Sequence, residues 1–99
     1  MKKNIAFYSE GCRIAGDLFM PDARKQDDLL PAIILCHGFS GIRDILLPPY
    51  AEAFARRGFA ALIFDYRGFG DSEGERGRLI PAEQIVDIRN AITFMETVS

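Results

Sequence analysis

The chain has 99 residues, enough for one small domain or part of a larger one, and 48% of them are apolar, which excludes a disordered segment. The net charge is −2 with both signs spread along the chain, so no basic block marks a nucleic-acid binder. No apolar run approaches the ~18 residues of a membrane span, Met1-Lys2-Lys3 is followed by polar Asn4, Ser9, Glu10 and Arg13 rather than a signal-peptide core, and two cysteines make no disulfide framework; a cytoplasmic domain is expected. Asn4–Tyr8 and Arg13–Met20 read as two strands of a hairpin, turned at Ser9-Glu10-Gly11 with Gly11 free to take positive φ. Residues 21–30 form a polar connection. Ala32-Ile33-Ile34-Leu35-Cys36 is an unbroken apolar run, the mark of a strand covered on both faces.

A loop, His37 to Asp44, leads to a helix over 48–57, with two prolines in its first turn and Gly58 as its stop. Tyr50, Phe54 and the alanines are expected on its inner face. Phe59 to Phe64 is a second apolar strand, which completes a βαβ unit. Asp65 to Ile80 is rich in glycine and charge. Pro81 opens a last helix to about Thr97, with Ile85, Ile88, Ile92 and Met95 as its apolar stripe and Glu83 and Asp87 suited to its N-terminal dipole. The chain is read as a single α/β unit over 1–99.

Gly70-Asp71-Ser72-Glu73-Gly74 is literally G-x-S-x-G, the pattern of a hydrolase nucleophile turn. That turn requires a strand running into its first glycine and a helix starting just after its serine. Here Gly70 lies six residues past Phe64, and Glu73-Gly74-Glu75-Arg76-Gly77 is a poor helix start. Ser72 is therefore read as a loop residue. Ser40, in Gly38-Phe39-Ser40-Gly41, is one residue short of the pattern. A serine triad also needs a histidine base, and the only histidine, His37, is bound into the turn after a strand. Its plain reading is a partly buried imidazole hydrogen-bonded to backbone. Arg43 and Asp44 are read as a local ion pair, Asp65 and Arg67 as exposed groups bracing the Asp65–Gly70 loop, and Cys36 as a small buried hydrophobe; Cys12 has no evident partner. No spacing of Cys, His, Asp or Glu suggests a metal, and Gly68-x-Gly70 is too short and too late for a dinucleotide loop, so neither metal nor cofactor is expected.

The string "LCHGFSG", a helix, then "RRGFAALIFDYRGFGDSEG" resembles the α/β-hydrolase family. The likeness is to its dienelactone-hydrolase-like, serine-aminopeptidase-like and Xaa-Pro-peptidase-like branch. It covers nearly the whole chain. It implies the N-terminal part of a three-layer sandwich, with mixed sheet order 1-2-4-3, ending before the strand that carries the nucleophile. It also implies a serine hydrolase of ester, thioester or peptide bonds whose triad lies beyond residue 99. The chain would contribute the oxyanion loop: Phe39 through its backbone N–H, with His37, Gly38 and Ser40 shaping it. The implied partner is a small-molecule acyl substrate, with no nucleic acid and no membrane. The GDSL-type hydrolases are a second resemblance for the G-D-S string, but no histidine follows Ser72 to serve them. The alternative is a non-catalytic module that forms homo-oligomers through strand 32–36 as an exposed sheet edge.

Overall fold

A computed structural model describes residues 1–22, 30–38 and 42–97. The elements are β1 (Lys2–Ser9), β2 (Cys12–Phe19), β3 (Ala32–Leu35), α1 (Leu47–Arg56), β4 (Ala60–Phe64) and α2 (Pro81–Glu96). The strands form one sheet in the order β1-β2-β4-β3, as the resemblance implied. β1 and β2 are antiparallel, with Ser9 opposite Cys12. The turn is thus the two residues Glu10 and Gly11, with φ of 48° and 82°. Positive φ at both central positions twists the turn in the sense of the strands, and glycine accepts it without strain. β2 is antiparallel to β4, and β3 is parallel to β4.

Side chains alternate across a strand, and the two helices use that alternation. Ala61 and Ile63 of β4 pack with Phe19 against Ala51 and Ala55 of α1. Ala60, Leu62 and Phe64 face the other way, with Phe7, Ile14 and Leu18, against Ala91 and Met95 of α2. The result is α1, sheet, α2 in three layers. Phe7 reinforces the second core, stacking on Phe94 and meeting Phe64 edge-on. Prolines occupy the first turns of both helices, where a missing N–H costs nothing.

Three expectations about exposure are corrected. Among the described residues β3 is a sheet edge, paired only with β4, so its apolar run is half-buried rather than covered on both faces, and Cys36 just beyond it is exposed. Tyr50 is 62% exposed, because α1 seats itself on Ala51 and Ala55. The stripe of α2 is also turned. Asp87, Ala91 and Met95 are buried, while Ile85 and Ile92 are 56% and 48% exposed. Asp87 is drawn inward by an arginine, and at ~100° per residue that rotation carries the two isoleucines off the core. No helix among the described residues is long and apolar enough to cross a membrane.

Candidate active site

In sheets of this kind ligands bind beyond the carboxyl ends of the parallel strands. Two loops leave that edge here, one after β3 and one after β4. The β3 loop begins with Cys36, His37 and Gly38. The half-buried His37 ring has both nitrogens engaged by backbone: Nδ1 accepts from Gly38 N at 2.9 Å, and Nε2–H donates to Ile45 O at 2.8 Å. A carbonyl can only accept and an N–H can only donate, so these partners define the neutral Nε2–H tautomer. Phe39 and Ser40 lie outside the described residues. Cys36 adjoins Tyr66 of the other loop: although its side chain is open to solvent on one side, desolvation by the protein around the thiol raises its pKa and the Tyr66 hydrogen bond lowers it, with a net upward shift. The Tyr66 phenol is pushed above its ordinary range by burial first, then by Cys36 and Asp87.

The β4 loop completes β2. β4 stops at Phe64, opposite Gly16, whereas β2 continues back to Cys12. The backbone groups of β2 past that point need partners. Asp65 N donates to Ala15 O at 3.0 Å and Glu73 N to Arg13 O at 2.8 Å. Arg13 N donates to Glu73 Oε1 at 2.8 Å. Ala15 N donates to Ser72 Oγ at 2.9 Å, and that hydroxyl donates to Asp65 O at 2.5 Å. Ser72 thus stands in for a missing strand acceptor. It is buried and tied to backbone on both counts, in a run of turns rather than at a strand–helix junction. Arg76 closes the loop by donating to the carbonyls of Gly70, at 2.9 Å, and Ser72.

Arg43 joins the two loops. Its main-chain N–H donates to Asp65 Oδ1 at 2.6 Å, and its guanidinium bonds Asp65 Oδ2, Asp17 Oδ2 at 3.1 Å and Asp71 Oδ2 at 3.2 Å. The expected pair with Asp44 is not formed; the partners come from β2 and the β4 loop. Burial opposes the charge of Arg43, but Asp65 and Asp17 outweigh it, and the pKa is raised. Asp65 also accepts from Asp71 N at 3.0 Å. Gly70, at φ 52°, makes this approach possible: a Cβ there would lie 2.4 Å from the Asp65 carboxylate. Asp17 Oδ1 is buried with no hydrogen-bond partner among the described residues.

Asp65 and Arg67, expected as exposed groups, are buried. Arg67 faces the α2 side and donates to Asp87 Oδ1 at 2.8 and 3.0 Å, to Glu10 Oε1 at 3.0 Å and to Ser9 Oγ at 3.2 Å. Its main-chain N–H reaches Asp87 Oδ2 at 3.0 Å, and Ser9 Oγ donates to Asp87 Oδ1 at 2.6 Å. Hydrogen bonding to Asp87 is the largest of the influences that raise the Arg67 pKa. Sequence reading missed this cluster. The available signal was Asp87 itself, on one helical line with Ala91 and Met95, where a carboxylate has no place unless it is paired. A surface groove at the opposite end of the sheet, lined by Lys2, Phe19, Glu52 and Arg56 among others, touches none of these residues.

The profile of the family described as serine aminopeptidase, S33, matches residues 28–99. The chain is 62% identical over 66 residues to an uncharacterised 31.7 kDa protein of the traX–finO intergenic region of Escherichia coli, covering 67% of this chain and 23% of that protein. It is 36% identical over 87 residues to the thiohydrolase aneE of Aspergillus aculeatus, covering 87% of this chain and 26% of that one. The crystal structure of the α/β hydrolase GrgF from Penicillium sp. superposes with a TM-score of 0.89 at 29% identity, covering 100% of this chain and 33% of GrgF. The chain therefore spans 23% to 33% of the length of these three proteins.

Proposed function

This chain belongs to the serine aminopeptidase (S33) family of α/β-hydrolases, and from that premise we propose that it is the N-terminal part of a serine hydrolase of acyl bonds, supplying the oxyanion loop. Ester, thioester and peptide bonds share one difficulty. Attack on the carbonyl carbon leaves negative charge on its oxygen, and preorganised N–H groups aimed at that oxygen stabilise the transition state. In this reading Phe39 N–H is one such donor, within a loop begun by His37 and Gly38 and continued by Ser40. The nucleophile, the histidine base and the acid come from residues beyond 99, the substrate is a small acyl compound, and residues 1–99 by themselves are inactive. The similarity to a thiohydrolase favours thioesters within that class.

The observation that carries the proposal is the state of His37. The only histidine of the chain sits at the carboxyl edge of the parallel strands, yet both its ring nitrogens are committed to backbone. It shapes a loop and is not free to take a proton from a serine. Ser72, with its hydroxyl engaged by Ala15 and Asp65, is equally unavailable. The test joins this chain to the remaining portion of the Escherichia coli relative and measures hydrolysis of acyl thioesters and p-nitrophenyl esters. Turnover is expected. Phe39→Pro, which removes the donor, should lower kcat by about 10²–10³-fold with KM little changed. No turnover, or an unaffected Phe39→Pro variant, refutes the reading. So does saturable hydrolysis by residues 1–99 that disappears in Ser72→Ala.

The exposed edge favours a second reading, a non-catalytic module that oligomerises through β3. Ile33, Ile34 and Leu35 are only half-buried there, and an apolar edge invites strand addition. Light scattering after size exclusion separates the cases: a stable oligomer converted to monomer by Ile34→Lys supports the module, and a monomeric wild type rejects it.

A further inference from the structure

The β3 loop is held at a second point besides β3 itself, and that point is Arg43. We propose that Arg43 is the positioning residue of this site: it keeps the Ile45 carbonyl on the His37 imidazole and so sets the backbone at His37–Gly38. The inference rests on the proposed function only for what the loop is used for.

Arg43 grips Asp65 with its own N–H and with its guanidinium, and the same fork reaches Asp17 on β2 and Asp71 in the β4 loop. Two residues on, the chain is committed: Ile45 N donates to Ile42 O at 3.1 Å and Leu47 N donates to Ile45 O at 2.8 Å. Between them Leu46 takes φ 68°, a left-handed conformation that a branched apolar side chain adopts only under constraint. Its side chain is 72% exposed, so its own burial does not offset the strain. The constraint comes from the ends, with α1 on one side and the Arg43 clamp on the other. What this geometry achieves is the direction of the Ile45 carbonyl, which points at His37 Nε2. With an acceptor at Nε2 the ring keeps its proton there, and Nδ1 stays free to accept from Gly38 N. If the Ile45 carbonyl withdrew, the proton could move to Nδ1, and the Gly38 N–H would lose its partner. The path of influence runs from Arg43 to Ile45, then the His37 tautomer, then Gly38.

The sole histidine makes this measurable without ambiguity. Long-range ¹H–¹⁵N spectra of residues 1–99 should show the Nε2–H tautomer. Arg43→Lys keeps a positive charge between Asp17 and Asp65 but replaces a fork of donors by one ammonium. It should give a mixture of tautomers and exchange the Gly38 amide at least about tenfold faster, while the amides of Leu62 and Ile63 keep their protection. An unchanged tautomer overturns the proposal, whether Gly38 exchange stays the same or rises only together with the core amides. If Arg43→Lys does not fold, Asp71→Ala decides. It removes one exposed arm of the clamp, and a shifted tautomer ratio supports the proposal while an unshifted one overturns it. Neither readout uses turnover, so failure here leaves the hydrolase reading standing, and an inactive chimera leaves this test standing.

Discussion

The sheet carries an arginine on each face at its carboxyl edge, Arg67 buried and Arg43 half-buried, and the two do different work. Arg67, itself in the β4 loop, sits among Asp87 in the body of α2, Ser9 at the last position of β1 and Glu10 in the adjoining turn, and Asp87 has both carboxylate oxygens engaged. It ties the hairpin tip to a helix. Arg43 sits in a loop; one of its partners, Asp71, is 73% exposed, and another, Asp17, keeps an oxygen with no hydrogen-bond partner among the described residues. It ties the β3 loop to the body of β2 and to the β4 loop. A similar set of charges therefore makes a staple to a helix in one place and a clamp between loops and a strand in the other. The difference lies in which elements each arginine joins.

The sharpest way to break this comparison is Asp87→Ala. It leaves the buried Arg67 guanidinium without its main partner, and the expected loss is about 3–5 kcal/mol in urea denaturation, with exchange faster in β1, β4 and α2 together. Loss confined to the hairpin tip would mean that Arg67 is no staple. Next is Gly70→Ala. Its Cβ would displace the Asp65 carboxylate, which should cost about 1–3 kcal/mol and also disturb the His37 signals, since Asp65 anchors Arg43. Destabilisation with an unaltered His37 spectrum would separate the clamp from the histidine. Ser72→Ala orphans the Ala15 N–H and should cost about 1–2 kcal/mol by thermal or urea melting, with no loss of kcat in the chimera beyond what stability explains.

The smallest effect concerns pH. The Tyr66 pKa is raised in the folded state, so the unfolded chain gives up that proton first. Stability is then fully present below the ordinary phenol value of about 10 and falls as pH rises above it toward the folded value. Cys36 shifts the same way from its thiol range. Tyr66→Phe should flatten the alkaline limb of a stability–pH curve; an unchanged limb would show that Tyr66 contributes nothing to it.

Much of the architecture was readable along the chain because its signals are local. A glycine able to take positive φ in the hairpin turn, apolar runs of strand length, prolines at helix starts and Gly58 after α1 each act within a few residues. The side chains that build the candidate site were less readable. Arg43 suggested Asp44, its neighbour, yet its carboxylates lie 22 to 28 residues away. Ile85 and Ile92 fitted a helical stripe, but one buried carboxylate decided which way α2 faces. Cys36 and strand 32–36 read as interior from their apolar run and as a sheet edge in the alternative reading, and the sheet order of the described residues places β3 at an edge.

The sequence by itself determined the order of elements, the mixed α/β class and the family, since repetition of apolar residues and a glycine-spaced motif survive without knowledge of what they touch. The tertiary structure decided which charges are buried, which apolar faces stay open and which way the one imidazole turns. Those outcomes depend on groups 78 residues apart meeting in space, as Ser9 and Asp87 do, and the energy of such a meeting is set by burial and geometry that no local pattern encodes.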